Sequence, residues 1–143
     1  MAKDLFHDAV KAALEKDGWE ITHDPYTVEA FAAKYNVDLG AEKLIGAERN
    51  KDLIAVEVKS FISSSPAYDF HLALGQYLNY LRGIRRADPN RTLFLAVPES
   101  AYLSFFTNSD AQDAITEFSI NLFSYDDRNE VIVKWLPYKN TEP

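Results

Sequence analysis

One stretch, Leu53 to Phe61, restricts the fold more than any other. It reads LIAVEVKSF. Ile54, Val56 and Val58 alternate with Ala55, Glu57 and Lys59, the two-residue period of a β-strand. Alternation sets Glu57 and Lys59 side by side on one face and turns Val56 and Val58 to the other. An acid and a lysine at i and i+2 on an otherwise apolar strand are costly if both are buried without partners. That face is either open to water or carries charges with a chemical task.

The rest of the chain places helices and further strands around this one. Asp4 to Lys16 has Leu5, Phe6, Ala9, Val10, Ala13 and Leu14 at helical spacing, with Asp4 as N-cap and Gly18 suited to a left-handed position past the end. Trp19 to Thr22 reads as a short strand and His23-Asp24-Pro25 as a turn. Thr27 to Lys34 reads as a short helix with Val28, Phe31 and Ala32 inward, and Asn36 as a turn into Val37-Asp38-Leu39. Lys43 to Arg49 and Leu53 to Phe61 form a hairpin about Asn50-Lys51-Asp52. Tyr68 to Arg86 is the longest helical pattern, with a broad apolar face that asks to be buried. Arg91 to Val97, RTLFLAV, is an almost continuous apolar run, as in a central strand covered on both faces and ended by Pro98. Glu99 to Phe106 and Asp110 to Phe118 are helical. Ser119 to Tyr125 and Glu130 to Leu136 make a second hairpin, and Lys139 to Pro143 a frayed tail. The fold class expected is α/β, a central mixed β-sheet flanked by helices, with residues 1–143 as one domain.

Charge narrows the function. The net charge is −7, whereas a protein that grips duplex DNA unaided gathers Lys and Arg on one face. The one dense basic cluster is Arg82, Arg85 and Arg86, with Arg91 nearby; its plain reading is a solvated helix end. Any DNA contact is then local, metal-assisted or supplied by a partner. The chain has no cysteine, which excludes disulfides and thiolate zinc sites. No apolar stretch reaches the ~20 residues that span a bilayer, and the acidic, amphipathic start is unlike a secretory signal. A cytoplasmic protein with no membrane association is expected.

Asp38, upstream of the hairpin, completes a chemical set with Glu57 and Lys59. Magnesium takes oxygen ligands, and two carboxylates from neighbouring strands can hold one ion while leaving positions for a phosphate and a water. The carbonyl of Val58, between the two charged residues, is a natural further ligand. A lysine alongside can orient the water or stabilise negative charge in the transition state. Glu42 and Glu48 read as solvent-facing hairpin acids, with Glu48 also open as a group supporting the metal ligands. His7 and Lys11 share a helical face; Lys11 reads as surface charge, while for His7 and Asp8 both surface charge and the edge of a metal site stay open. His23 and His71 read as ordinary polar residues.

An Asp, a hairpin ending in Glu-x-Lys and a long helix resemble the PD-(D/E)xK nuclease superfamily. The motif here is Val37-Asp38, then Glu57-Val58-Lys59, with valine in place of the proline. The helix that follows carries QYLNY, and Gln76 and Tyr80 resemble the Gln-x-x-x-Tyr motif of RecB-like members, where the pair sits beside the active site and contacts DNA. A closer resemblance runs through nearly the whole chain. AKDLFHDAVKAALEKDGWEITHDP, DLGAEKLIGAERN, IAVEVKSF and FHLALGQYLNY are similar to XisH proteins, named as controlling factors for excision of a DNA element in differentiating cyanobacteria. The resemblance implies a restriction-endonuclease-like (PD-(D/E)xK) fold and a role in programmed DNA rearrangement. It agrees with the residue reading of a Mg2+ or Mn2+ ion on Asp38, Glu57 and Val58 and catalysis by Asp38, Glu57 and Lys59, and adds Gln76 and Tyr80 as DNA contacts; His7 and Asp8 stay as open candidates for supporting residues. A companion of the XisI kind is the protein partner it implies.

Two functions follow: a metal-dependent endonuclease, and a non-catalytic accessory factor that binds a partner and a recombinase. The acidity favours the second, the intact Asp, Glu and Lys the first. The aromatic second half and the charge together predict a homodimer or hetero-complex, with the hairpin Ser119 to Leu136 as its surface.

Overall fold

The computed structural model describes residues 5–45 and 50–137. Helix α1 (His7–Lys16) leads into β1 (Glu20–His23), a hairpin of β2 (Tyr26–Ala30) and β3 (Ala33–Val37), and a second hairpin of β4 (Leu39–Ile45) and β5 (Asn50–Val58). The long helix α2 (Pro66–Ala87) joins β5 to β6 (Arg91–Pro98). Then come α3 (Glu99–Ala101), which runs on as a π-helical turn over Tyr102–Phe106, α4 (Ser109–Glu117), β7 (Leu122–Asp126) and β8 (Val131–Leu136). The main sheet has six strands in the order β1-β4-β5-β6-β7-β8, and β2 and β3 form a separate pair. β5, β6 and β7 run parallel and the outer pairings are antiparallel. This is the expected mixed sheet flanked by helices. Among the described residues no helix is long and apolar enough to cross a membrane.

The apolar run of β6 is explained by its two covered faces. Leu93, Leu95 and Val97 join Ala55, Tyr77, Tyr80 and Ile84 in the core beneath α2. Phe94 and Ala96 join Ile54, Val56, Val58, Val10 and Leu14 in the core beneath α1. Burying both faces of a parallel strand needs helices on both sides; α2 and the α3–α4 segment cover one face and α1 covers the other.

The expected helix over Thr27–Lys34 is instead the β2–β3 hairpin. Tyr26, Val28 and Ala30 are buried and alternate with exposed Thr27 and Glu29. Val28, Phe31 and Ala32 fit a helical spacing as well as a strand and turn, and tertiary packing decides: Val28 lies against Gly83 of α2. Phe31 faces outward at 60% exposure. Phe31 and Ala32 form the two-residue loop, both left-handed, with φ of 53° and 56°. Paired positive φ values are what a type I′ hairpin turn requires. Neither residue is glycine or asparagine, so each costs roughly 1–2 kcal/mol in backbone strain. Asn36 is not a turn residue but a strand partner of Thr27. Asn50, Lys51 and Asp52 likewise belong to β5, opposite Ile45, Leu44 and Lys43. The N-cap at Asp4, the acid Glu48 and the tail 139–143 lie outside the described residues.

Two glycines of α2 should respond to alanine in opposite ways. At Gly75 an added Cβ meets nothing within 4 Å, whereas at Gly83 it would lie 2.8 Å from the Glu29 carbonyl oxygen. Gly75→Ala is expected to stabilise by about 1 kcal/mol through helix propensity. Gly83→Ala is expected to destabilise by roughly 1–3 kcal/mol, because the hairpin backbone must move. Urea unfolding midpoints check this; a rise in both would show that β2 is not held against α2 as described.

Candidate functional site

The candidate site lies where β3 passes into β4 beside the end of β5. Val37 is buried in the core under α2 and Leu39 in the core under α1. Asp38 sits between them at the crossover, which keeps its carboxyl at the strand ends. Its Oδ2 accepts a hydrogen bond from the Val58 amide at 2.7 Å. A residue's N–H and C=O point to the same side of a strand, so the Val58 carbonyl also faces this edge. The Asp38 amide in turn donates a long contact, 3.4 Å, to Glu57 Oε1. Glu57 is only 6% exposed, on the β5 face shared with Ala55.

Lys59 Nζ lies 3.3 Å from Glu57 Oε2. Both main-chain groups of Lys59 are taken: its amide donates to the Ala96 carbonyl at 2.9 Å, and its carbonyl accepts from the Tyr125 hydroxyl at 3.0 Å. β6 and β7 thus fix the backbone that carries the lysine. Asp38, Glu57 and Lys59 are brought together as the spacing suggested.

The electrostatics follow from burial. Desolvation and then the neighbouring Asp38 carboxylate push the Glu57 carboxyl up to about 8, against the pull of Lys59. Desolvation also raises Asp38, partly offset by the Val58 amide, His7 and Lys59. At neutral pH the pair therefore keeps one proton, because two buried carboxylates side by side cannot both ionise cheaply. The Lys59–Glu57 contact is then a hydrogen bond to a largely neutral acid rather than a full ion pair.

His7 is 3% exposed and lies between this pair and a third carboxyl, that of Asp24. Its Nε2 lies 2.8 Å from Asp24 Oδ1, and its Nδ1, with no hydrogen-bond partner, lies 3.7 Å from Asp38 Oδ1. An ionised Asp24 only accepts, which assigns the proton to Nε2. Lys11 Nζ donates to Asp24 Oδ2 at 2.9 Å. Burial works to raise Asp24, but the Lys11 and His7 contacts hold it below the ordinary carboxylate range. Asp8, next to His7, is exposed.

Tyr80 is brought to the acidic pair. It is 6% exposed, its ring is 5.9 Å from that of Tyr35, and its phenol is pushed well above the ordinary range by burial and then by the charges of Glu57 and Asp38. Gln76, one turn earlier on α2, has a buried Oε1 without a partner and makes no hydrogen bond to Asp38, Glu57 or Lys59. Of the Gln-x-x-x-Tyr pair, Tyr80 feels the charge of the acids, while Gln76 keeps a buried amide oxygen without a hydrogen-bond partner.

The family model described as XisH protein matches residues 1–133. This chain belongs to the XisH family. An XisH family protein from Nostoc punctiforme is 44% identical, with a TM-score of 0.82 over 92% of this chain and 98% of that one. A fdxN element excision controlling factor protein from Anabaena variabilis is 41% identical, with a TM-score of 0.82 over 93% of this chain and 98% of that one. A comparison with curated proteins finds no match.

Two members of the network in this XisH chain escape sequence reasoning. Lys11 reads as surface charge and Asp24 as part of a turn, yet both bear on His7. Lys11 is legible in hindsight, one helical turn after His7. Asp24 is seventeen positions from His7 and no local pattern joins them.

Among the described residues no three His, Cys, Asp or Glu side chains meet in a group that could hold a metal ion. A cation in this XisH site would have two carboxylates, the Val58 carbonyl and water. That is an all-oxygen donor set, the kind Mg2+ and Mn2+ prefer. Two carboxyls held side by side, Glu57 buried at 6% exposure, make a place where positive charge is favoured. The residues present fit a divalent ion.

Proposed function

We propose that this chain controls excision of a DNA element, as the name of its Anabaena variabilis relative states for that protein, and that it does so through a divalent-cation-dependent phosphodiester site. The observation that carries the reading is the convergence of the Asp38 and buried Glu57 carboxyls with Lys59, whose Nζ lies 3.3 Å from Glu57 Oε2. Asp38, Glu57 and the Val58 carbonyl would hold Mg2+ or Mn2+, which when bound polarises a phosphate and lowers the pKa of a water. Asp38 is oriented by the Val58 amide, with the His7 ring 3.7 Å away. Lys59, on a backbone pinned by β6 and β7, presents its ammonium to an attacking water or to charge developing on the phosphate. His7 and Lys11 are positioning groups, acting through Asp24 and Asp38.

A second reading, an accessory factor without catalysis, is supported by the net charge of −7. In that case a companion of the XisI kind, or a second copy, is the partner. Exposed Val131 and Val133 on the edge strand β8 are the apolar surface the expected hairpin interface would use.

Calorimetric titration with Mn2+ in two buffers of different ionisation enthalpy tests the site. The expected result at pH 7 is one ion bound per chain with release of about one proton, since the proton the pair keeps must leave before both carboxylates ligate. Glu57→Ala should abolish both. Equal binding by parent and Glu57→Ala, or no binding at millimolar Mn2+, would remove the metal site.

A further inference from the structure

Away from the acidic site, α2 ends in a group of open cations. Arg82, Arg85 and Arg86 are all exposed, and among the described residues none forms an ion pair; the nearby acid Asp88 is taken by Arg91 at 2.7 Å. With Leu78, Asn79 and Phe31 they line a groove of about 650 Å³. The Arg82 guanidinium carbon lies 5.8 Å from the Phe31 ring centre.

The plain explanation is the helix dipole, which favours cations in a last turn. It accounts for Arg85 and Arg86. It does not reach Arg82, a turn further in, and it says nothing of Phe31. That phenylalanine holds a left-handed turn position where asparagine or glycine would be unstrained, and it stays 60% exposed, so no core burial repays the strain. Residues kept in strained conformations at the surface point to contact with a ligand.

A flat π-face beside three exposed guanidinium groups suits an unpaired nucleic-acid strand. Phosphates meet the arginines, and a base stacks on the ring. A duplex offers the phosphates but hides the base faces, leaving Phe31 nothing to stack on. We infer that this groove binds a segment of single-stranded DNA, with phosphates on Arg82, Arg85 and Arg86 and one base on Phe31. Tyr80 and Arg85 are ~7.5 Å apart along α2 at 1.5 Å per residue, so the strand would run beside the helix that also borders the acidic pair. The inference goes beyond chemistry at Asp38 and Glu57 and does not depend on a metal.

Fluorescence anisotropy of a labelled oligothymidylate about twelve nucleotides long, with the full chain in EDTA, tests it. Saturable binding is expected, tighter than to a duplex of the same length. Neutralising three phosphates of a single strand gives a log–log salt slope of about −2. Arg85→Gln with Arg86→Gln should bring the slope to about −0.7. Phe31→Asn should weaken binding about 10-fold, within the range for loss of one stacked base. Asparagine accepts the left-handed backbone, so this variant is expected to unfold at the same or a higher temperature than the parent, which separates lost contact from lost fold. Glu57→Gln should lose Mn2+ binding yet bind the oligonucleotide as the parent does, so this inference and the proposed function fail separately. No saturable binding, a duplex bound as tightly, variants that bind like the parent, or displacement by polyglutamate at the same concentration as by the oligonucleotide would each overturn the assignment.

Discussion

In EDTA, the thermal unfolding midpoint falls as pH rises from about 5 to about 8, and Glu57→Gln removes most of that fall. The reason is linkage. Glu57 has its ordinary value of 4.5 in the unfolded chain and about 8 in the folded one. Below pH ~4.5 both states hold the proton. Between the two values the unfolded chain has released it while the folded protein keeps it, so each added pH unit favours unfolding. The loss is complete once pH passes the folded value. A shift of this size has a ceiling of roughly 4–5 kcal/mol, on the order of 10 °C for a chain of this length. Asp38 is shifted in the same direction and adds to the effect. Asp24 and Asp88 are shifted the other way, so their contributions are lost only as pH falls through the acid range. Mn2+ should restore stability most at the alkaline end, where it replaces the missing proton. Superimposable curves for the parent and Glu57→Gln between pH 5 and 8 would mean that the carboxyl is not buried beside Asp38.

Lys59→Ala is expected to lower element excision roughly 10²–10³-fold in a differentiating host, the usual loss for one electrostatic contact to a transition state. Protein abundance should be unchanged. The backbone at residue 59 is held by the Ala96 carbonyl and the Tyr125 hydroxyl rather than by the lysine side chain, so the strand end stays in place. Glu57 then loses the ammonium beside it and grips its proton harder. Divalent-ion binding should weaken modestly while turnover collapses. Normal excision at normal abundance would sink the nuclease reading and leave the binding role standing.

The parts legible from sequence are those whose signal is local. Alternation at Ile54 to Lys59 placed Glu57 and Lys59 on one face, and the run Arg91 to Val97 announced a strand covered on both sides. Asp38 was legible because the acid preceded a hairpin ending in Glu-x-Lys. The β2–β3 hairpin was not, because Val28, Phe31 and Ala32 satisfy a helical period, and only the fit of Val28 against Gly83 selects the strand. Its turn lacks the Asn-Gly signature that would have marked it. The Lys11–Asp24–His7 relay was hidden for another reason. It joins a helix to a turn distant in sequence, and only the folded chain brings the buried His7 and the more exposed Lys11 onto Asp24.

The anchoring of Lys59 has a consequence for synthesis. Its carbonyl waits for Tyr125, 66 residues later. At 5–20 residues per second, the ribosome delivers that partner roughly 3–13 s after the lysine emerges. β5 reaches the tunnel exit before either of its parallel anchors exists, and parallel pairing across long crossovers is slow in any case. A nascent or truncated chain lacking β7 therefore carries the acids and the lysine in sequence but leaves the lysine's carbonyl unanchored. The finished site is acquired near the end of translation, late in the assembly of the sheet.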